Sequence, residues 1–396
     1  MITITDNQLQ ELLNHRAANQ EGMNKLLGMV LNSIMYAERK QFLKEEENPH
    51  NKANGYRPIK ANGYGRQLSL AVPRDRLGTF QPLLTLVLKE QEQEIKNLCF
   101  ALYKEGITTR RLGKITEQLY GKHYSRSAVS EMNQTFKARL EAWRNKPLEE
   151  RYVAVYLDAI HTKVMRGNVQ GEAFYVALAV RSDKTREVIC IKNNPVESAQ
   201  GWEEVLKDLK SRGVKTIDIV IADGIAGLEE KVLTHFPRAK FQKCVTHFKR
   251  NILYKMRPGD RQAMAVDLAS LFNITDNSYT KEQAYARASE LREKWKKQYP
   301  FVGRVLSKES LRTHLTCLDL DFRVRSMIYT TNWIERLHKE FRRALKIRNA
   351  MPHVDSVLFL LSAIAVDMEN NVYSYPVNSL SYEPTFFENY QPLDTH

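Results

Sequence analysis

Five apolar segments rich in β-branched residues lie between residues 153 and 244, and they constrain the fold more than any other feature. The predicted strands are 153–158, 172–180, 186–192, 216–222 and 239–244. Short loops join the first three, a helix is predicted at about 197–213, and a second helical segment precedes the last strand. The order β-β-β-α-β-α-β indicates a mixed α/β domain.

Mostly helical segments flank this domain, so the chain is predicted to be a multidomain α+β protein. A helical segment at 1–50 precedes a region at 51–147 that begins with a short hairpin around the two "KANGY" repeats. The sheet domain is divided by a helical insertion. Its expected parts are 148–257, the insertion at 258–327, and a last part at 328–375, followed by a tail at 376–396.

Two helices separated by "GKHYS" lie in the second region. Thr108 can cap the first and Ser125 the second, and Arg126 and Lys137 are predicted to be exposed on the second helix. This spacing is typical of a helix-turn-helix DNA reader, but an ordinary helical hairpin explains it equally well.

The charge of the chain favours a polyanionic partner. The 396 residues carry a net charge of +14, and neutralising phosphates releases counterions. A merely basic protein remains the alternative. The basic residues are concentrated, however, in two segments: residues 335–348 hold six Lys or Arg, and residues 238–257 hold seven.

The sequence has no apolar run long enough to span a membrane and no signal-peptide pattern at its start. Its four cysteines have no framework spacing, which fits a reducing compartment. A cytoplasmic protein without membrane contact is therefore expected.

Acidic residues follow two of the predicted strands. Asp158 ends the first strand and Asp223 ends the fourth. Each alone is explained by a turn, because Asp often bonds its own backbone where a strand stops. In an α/β sheet, however, the carboxyl ends of strands meet at one edge, where ligands bind.

A third acid, Glu335, lies in "TTNWIERLHKEFRR". Asn332 could cap this helix with Glu335 in a capping box, which would occupy the carboxylate with backbone N–H groups. Alternatively, Glu335 points into a site, and Glu340 is a weaker competitor. Three converging carboxylates would suit Mg²⁺, which prefers oxygen ligands and can activate an attacking oxygen in phosphodiester chemistry.

These acids and the strand order resemble the ribonuclease-H-like core of DDE transposases. The chain is more closely similar to bacterial insertion-sequence transposases of the mutator family. The resemblance covers about residues 50–370, in the stretches "VPRDRLGTFQP", "YLDAIHTKV", "IADGIAGLEEKVLTHFPRAKFQKCVTHFKRN", "KWKKQYP" and "IYTTNWIERLHKEFRRALKIRNAM". It implies that Asp158, Asp223 and Glu335 are the catalytic residues and the ligands of two Mg²⁺ ions, for which Mn²⁺ can substitute.

The resemblance also implies the activity. The expected enzyme binds the terminal inverted repeats of its element, cleaves there, and joins the freed 3′-OH to target DNA. A homodimer or larger assembly is expected because two DNA ends must be handled together. The rival hypotheses are a non-catalytic DNA-binding regulator and a ribonuclease-H-like nuclease without transposition.

Several other residues are candidates for supporting roles. Cys244 and His247 form a Cys-x-x-His pair; without a second half a structural zinc site is not expected, and local hydrogen bonding near the acids is preferred. His161 follows Asp158 closely. Trp295 could stack on an extruded base, although a core position is the better explanation. Phosphate contacts are expected from four basic residues: Arg336, Lys339, Arg342 and Arg343.

Overall fold

The computed structural model describes residues 20–46, 48–63, 66–120, 126–348 and 350–382. Residues 1–19 of the predicted helical segment, the cap at Ser125 and the end of the tail lie outside these ranges. The chain divides into two compact units, Met1–Phe136 and Lys137–His396. The division falls inside the helix Arg126–Arg144, and the boundary near residue 147 stays a prediction.

A β-hairpin and a long helix form the centre of the first unit. Helix α1 (Gln20–Glu45) precedes strands β1 (Ala53–Gly63) and β2 (Arg66–Asp75), which pair antiparallel. Met35 of α1 packs into an apolar cluster with residues of β2. The predicted hairpin is thus present, but its second strand continues past Pro73 to Asp75.

Three helices follow the hairpin: α2 (Leu83–Lys104), α3 (Thr109–Tyr120) and α4 (Arg126–Arg144). The Thr108 hydroxyl accepts a hydrogen bond from the Arg111 N–H at 3.4 Å, as expected for a cap. Lys137 pairs with Glu141 at 3.9 Å. The turn between α3 and α4 lies outside the described residues, so the DNA-reading role of these helices stays a prediction.

The second unit contains the predicted sheet. Its elements are β3 (Arg151–Arg166), β4 (Asn168–Val180), β5 (Arg186–Asn194), α5 (Ala199–Ser211), β6 (Thr216–Ala222), α6 (Leu228–His235) and β7 (Lys240–Lys243). The strand order is β5-β4-β3-β6-β7. β3, β4 and β5 are antiparallel neighbours, whereas β6 runs parallel to β3 and to β7. The predicted element order is confirmed.

The first strand of the sheet is longer than predicted. Asp158 does not end β3 but pairs with Val176 of β4, and the strand continues to Arg166. Ile160 and Val164 remain buried beyond the acid, so the chain keeps its extended period. Gly167 then turns the chain with a φ of 75°, a conformation that glycine adopts without strain. The turn interpretation of Asp158 is therefore wrong.

Helices cover both faces of the sheet. On one face, Trp202 of α5 packs edge-on against Tyr175 of β4, with ring centroids 4.6 Å apart. On the other face lie α13 (Asn332–Lys346) and α14 (Val354–Asn370), joined by the short strand β8 (Ala350–Met351), which pairs with β3. Tyr156 of β3 is fully buried and donates a hydrogen bond to the Met327 carbonyl at 3.1 Å.

The predicted helical insertion is largely helical. After α7 (Val245–Tyr254) come α8 (Pro258–Leu271), α9 (Lys281–Trp295), α10 (Pro300–Val305), α11 (Lys308–Leu311) and α12 (Phe322–Ile328). The stretch between α11 and α12 bonds to the edge strand β7: Gln242 donates to the His314 carbonyl, and Thr316 donates to the Phe241 carbonyl. Within the described ranges, none of the helices combines the length and the apolarity that crossing a membrane requires.

Candidate active site

The carboxyl ends of the parallel strands bring polar residues to one edge of the sheet. Leu157 of β3 is in register with Ala222 of β6, and Ala222 is in register with Lys243 of β7. The next residues along the three strands are Asp158, Asp223 and Cys244. The two acids therefore occupy neighbouring positions just past the end of the parallel ladder.

A buried histidine approaches Asp158. His338 Nδ1 lies 3.1 Å from Asp158 Oδ2, and the His338 side chain is 0% exposed. Neither ring nitrogen makes an aligned hydrogen bond to any described residue. His338 was not predicted, although its place three residues after Glu335 on the apolar side of an amphipathic helix is visible in the sequence.

A second histidine, His247 in the first turn of α7, lies between the other two acids. Its Nδ1 is 3.5 Å from Asp223 Oδ1, and its Nε2 is 3.7 Å from Glu335 Oε1. A hydrogen bond with Cys244 raises the pKa of His247 to about 9; burial opposes the rise, and the charges of Asp223 and Asp158 add to it. The surroundings of the ring therefore favour its protonated, positively charged form.

Glu335 lies in the first turn of α13 and does not cap it. The N-cap residue is Thr331, one residue earlier than expected, and Asn332 begins the helix. The Thr331 hydroxyl donates to Glu335 Oε1 at 3.0 Å. The capping-box interpretation is therefore wrong, and the carboxylate faces His247. Glu340, the competitor, instead pairs with Arg343 at 3.5 Å.

Four basic residues expected to contact phosphate share the exposed side of α13: Arg336, Lys339, Arg342 and Arg343. The opposite side of the helix buries Leu337 and Phe341. This division explains how a strongly basic helix can still pack on the sheet. Phosphate binding by these residues stays a prediction.

Two predicted supporting residues do not touch the acids. His161 is three residues past Asp158, so strand alternation turns it to the other face, where it pairs with Glu197 at 3.2 Å. Trp295 is 6% exposed, and its indole N–H donates to Asp267 at 2.7 Å. That is the core arrangement that the sequence analysis preferred.

A groove of about 240 Å³ opens beside Asp223. Phe248 and Phe301 supply apolar walls, and Lys243 and Lys255 supply positive charge. Aromatic and basic side chains together suit a nucleotide better than a purely apolar ligand. The sequence did not predict this groove, because Phe301 belongs to the helical insertion.

The donor atoms at this edge fit a hard divalent cation. Asp158, Asp223 and Glu335 are all partly exposed, and each offers carboxylate oxygens. Mg²⁺ needs few protein ligands and keeps waters for its substrate. The three acids therefore offer the type of ligand atom that such a cation takes.

Comparisons with known proteins identify relatives across the chain. A family model described as "Transposase, Mutator family" matches residues 2–374. The chain is 29% identical over 363 residues to the "Transposase for insertion sequence element IS1201" of Lactobacillus helveticus, covering 90% of this chain and 97% of that relative. It is 26% identical over 393 residues to the "Transposase for insertion sequence element IS256 in transposon Tn4001" of Staphylococcus aureus, covering 94% and 96%.

A solved structure also resembles the chain weakly. It is the "Drosophila P element transposase strand transfer complex", with 9% identity and a TM-score of 0.29, covering 74% of this chain and 83% of that one. A likeness at that level supports no inference about the fold.

Proposed function

The chain belongs to the Mutator family of transposases, and on that premise we propose that it cleaves DNA at the terminal inverted repeats of an insertion sequence. It then transfers the freed 3′-OH to target DNA. Asp158, Asp223 and Glu335 are the proposed catalytic residues, and the sheet domain around them is proposed to be a ribonuclease-H-like core.

One observation carries the proposal of the catalytic residues. Asp158 and Asp223 follow the register pair Leu157 and Ala222 at the end of the parallel ladder, and one imidazole ring separates Asp223 from Glu335. Acids from two strands and a helix far along the chain thus approach one place. The order of three antiparallel strands followed by two parallel ones supports the ribonuclease-H-like assignment.

The chemistry needs positioning and charge more than covalent help. Mg²⁺, held by the three carboxylates as two ions, would supply activation of the attacking oxygen and stabilisation of the leaving oxygen. Positioning of the DNA is the role of the protein's own side chains. The exposed basic side of α13 holds the phosphate backbone, so that the scissile phosphodiester lies beside Glu335.

His247 balances charge between the acids. As an imidazolium it lowers the repulsion between Asp223 and Glu335 while the site holds no cation, and it can surrender its proton when a cation binds. His338 limits the orientations of the Asp158 carboxylate through its contact at 3.1 Å. Both imidazoles therefore prepare the oxygen ligands for a cation.

The proposed partners follow from the reaction. The substrates are double-stranded DNA carrying the terminal repeats and a target duplex, and residues 51–147 are the proposed reader of the repeats. Two ends are processed together, so a homodimer or larger assembly is proposed. The enzyme would act at the bacterial nucleoid, in the cytoplasm.

The test is a map of every nick on terminal DNA. Purified full-length protein is incubated with duplexes bearing the ends of its own element, with Mg²⁺ or with EDTA, and with random duplexes as the control. Nicks at the element boundary that require Mg²⁺, followed by joined products, are expected. Specific binding without nicks would favour a regulator, and nicks without joined products would favour a nuclease.

A further inference from the structure

A thiol, an imidazole and a carboxylate converge beside the proposed catalytic acids. One ligand atom each from Cys244, His247 and Glu335 lies within 4.8 Å of the other two. Cys244 precedes α7, His247 lies in its first turn, and Glu335 lies in the first turn of α13. The Thr331 hydroxyl lies 3.3 Å from Cys244 Sγ and also bonds Glu335, so it keeps the two side chains adjacent.

This donor set differs in chemistry from the three carboxylates. Mg²⁺ prefers oxygen ligands, whereas sulfur and imidazole nitrogen select borderline-soft ions such as Zn²⁺. Three protein ligands with one open position form the usual arrangement of a non-structural zinc site. Among the described residues, the Cys-x-x-His pair is thus joined by a distant glutamate as the third potential ligand.

The geometry is close to what such an ion needs. Zn–S and Zn–N bonds of about 2.3 and 2.0 Å in a tetrahedral shell place neighbouring ligand atoms about 3.5 Å apart. His247 Nε2 and Glu335 Oε1 are already 3.7 Å apart. The three ligand atoms lie at most 4.8 Å apart, so a side-chain rotation that moves one atom by about an ångström brings the set to tetrahedral spacing.

The thiol at this position differs from every other cysteine of the chain. Burial raises the pKa of the remaining three: Cys99, Cys190 and Cys317. Burial acts the same way on Cys244, but hydrogen bonds from His247 and Thr331 outweigh it and hold the pKa of Cys244 below its ordinary value. Of the four cysteines, which all lie in the described ranges, Cys244 has an imidazole and a carboxylate beside its sulfur.

We propose that Cys244, His247 and Glu335 form a binding site for Zn²⁺ that competes with the oxygen-ligand site for Glu335. Zn²⁺ bound there draws the Glu335 carboxylate towards Cys244 and His247 and adds positive charge beside the oxygen-ligand site, and both effects weaken Mg²⁺ binding in its catalytic position. Zn²⁺ therefore inhibits Mg²⁺-dependent DNA cleavage. Zn²⁺ binding by these three residues does not depend on the proposed function, whereas inhibition of DNA cleavage by Zn²⁺ rests on it.

The competing explanation is a hydrogen-bond network without metal, in which protonated His247 serves the thiolate and the acids. Co²⁺ distinguishes the two, because it adopts zinc-like geometry and a thiolate ligand gives it an intense near-ultraviolet charge-transfer band. Full-length protein without DNA is titrated with Co²⁺. A band that saturates at one equivalent and disappears when Zn²⁺ is added is expected.

Variants assign the band to its residue. Cys244→Ser removes the band, and the matched variant Cys190→Ser, at a buried thiol elsewhere in the sheet domain, keeps it. A wild-type protein without the band, or a band unchanged in Cys244→Ser, overturns the proposal. If Cys244→Ser does not fold, X-ray absorption of the Zn²⁺-loaded wild type decides. One sulfur at about 2.3 Å supports the site, and a shell of nitrogen and oxygen alone refutes it.

The competition is tested with Zn²⁺ added to the Mg²⁺-driven nicking of terminal DNA. Inhibition at the Zn²⁺ concentration that displaces Co²⁺, relieved by raising Mg²⁺, is expected. Full nicking with the zinc site saturated refutes the competition. Absence of nicking with Mg²⁺ alone contradicts the proposed function instead, and the cobalt band then still decides the metal site.

Discussion

Asp75 is predicted to hold the end of the N-terminal hairpin through one buried carboxylate. The side chain is 3% exposed, and its Oδ2 accepts hydrogen bonds from the Thr79 N–H at 3.0 Å, the Thr79 hydroxyl at 2.8 Å and Asn51 Nδ2 at 2.9 Å. Its Oδ1 accepts from the Phe80 N–H at 3.2 Å. Asp75→Asn keeps the shape but has only one acceptor oxygen for these four donors.

The size of the effect follows from those four bonds. If the amide oxygen of the substituted side chain accepts from the three donors that Oδ2 had, the NH₂ group of the same side chain faces the Phe80 N–H. That buried N–H then has no acceptor, which costs about 1–3 kcal/mol. The other three bonds lose the charge that strengthens them. A local destabilisation of about 2–4 kcal/mol is expected, which corresponds to amide exchange about 30- to 700-fold faster at Thr79 and Phe80.

Native-state hydrogen exchange of the full chain measures this effect locally. The matched control is Asp183→Asn, because Asp183 bonds the N–H and hydroxyl of Thr185 in the same way but is exposed. Little change is expected at Thr185. Equal exchange at Thr79 in wild type and Asp75→Asn would refute the account of the buried carboxylate.

The same carboxylate gives a pH dependence. Burial alone would raise the pKa of Asp75, but the hydrogen bonds from Thr79 and Asn51 outweigh it and hold the pKa well below the ordinary 3.8. A depressed folded pKa contributes stability that is present above the unfolded value and is lost as pH falls through the folded value. The difference between wild type and Asp75→Asn should therefore be constant near neutral pH and shrink below about pH 4.

Three further outcomes are expected. His338→Gln should raise the Mg²⁺ concentration for half-maximal nicking about 10- to 100-fold with DNA binding retained; an unchanged Mg²⁺ titration would show that His338 does not position Asp158. Trp295→Phe should lower the free energy of unfolding by about 1–3 kcal/mol because Asp267 loses the indole donor. Weaker DNA binding at an unchanged free energy of unfolding would instead favour base stacking. Arg342→Ala should weaken binding to all duplexes alike and reduce the salt slope by about 0.9, and a sequence-dependent loss would count against a phosphate contact.

The order of the elements along the chain and the positions of two acids after strands could be predicted because both are local properties. β-branched segments with short loops indicate strands, and an acid after each of two parallel strands must lie at the same edge. The position of β3's end could not be predicted in the same way. An aspartate usually marks a turn, and only pairing with Val176 shows that this one lies within a strand.

The contacts of the two histidines with the acids could not be predicted from the sequence, for a different reason. His247 and Glu335 meet because α7 and α13 both begin at the same edge of the sheet, and no local pattern encodes that meeting. His338 resembles an ordinary core histidine on an apolar helix face until β3 is placed beside it. Sequence therefore predicts that Asp158 and Asp223 lie at one edge of the sheet, whereas the side chains that contact them depend on long-range packing.

Glu335→Gln tests the central claim most directly, with Glu340→Gln on the same helix as its control. Gln keeps the shape of the side chain but loses the charge that holds Mg²⁺, and the basic face of α13 remains for phosphate. Nicking of terminal DNA and gel shift are measured on the same preparations. The account predicts that Glu335→Gln binds terminal DNA with nearly wild-type affinity and makes no nicks, while Glu340→Gln nicks normally. Full nicking by Glu335→Gln would remove Glu335 from the site and contradict the account.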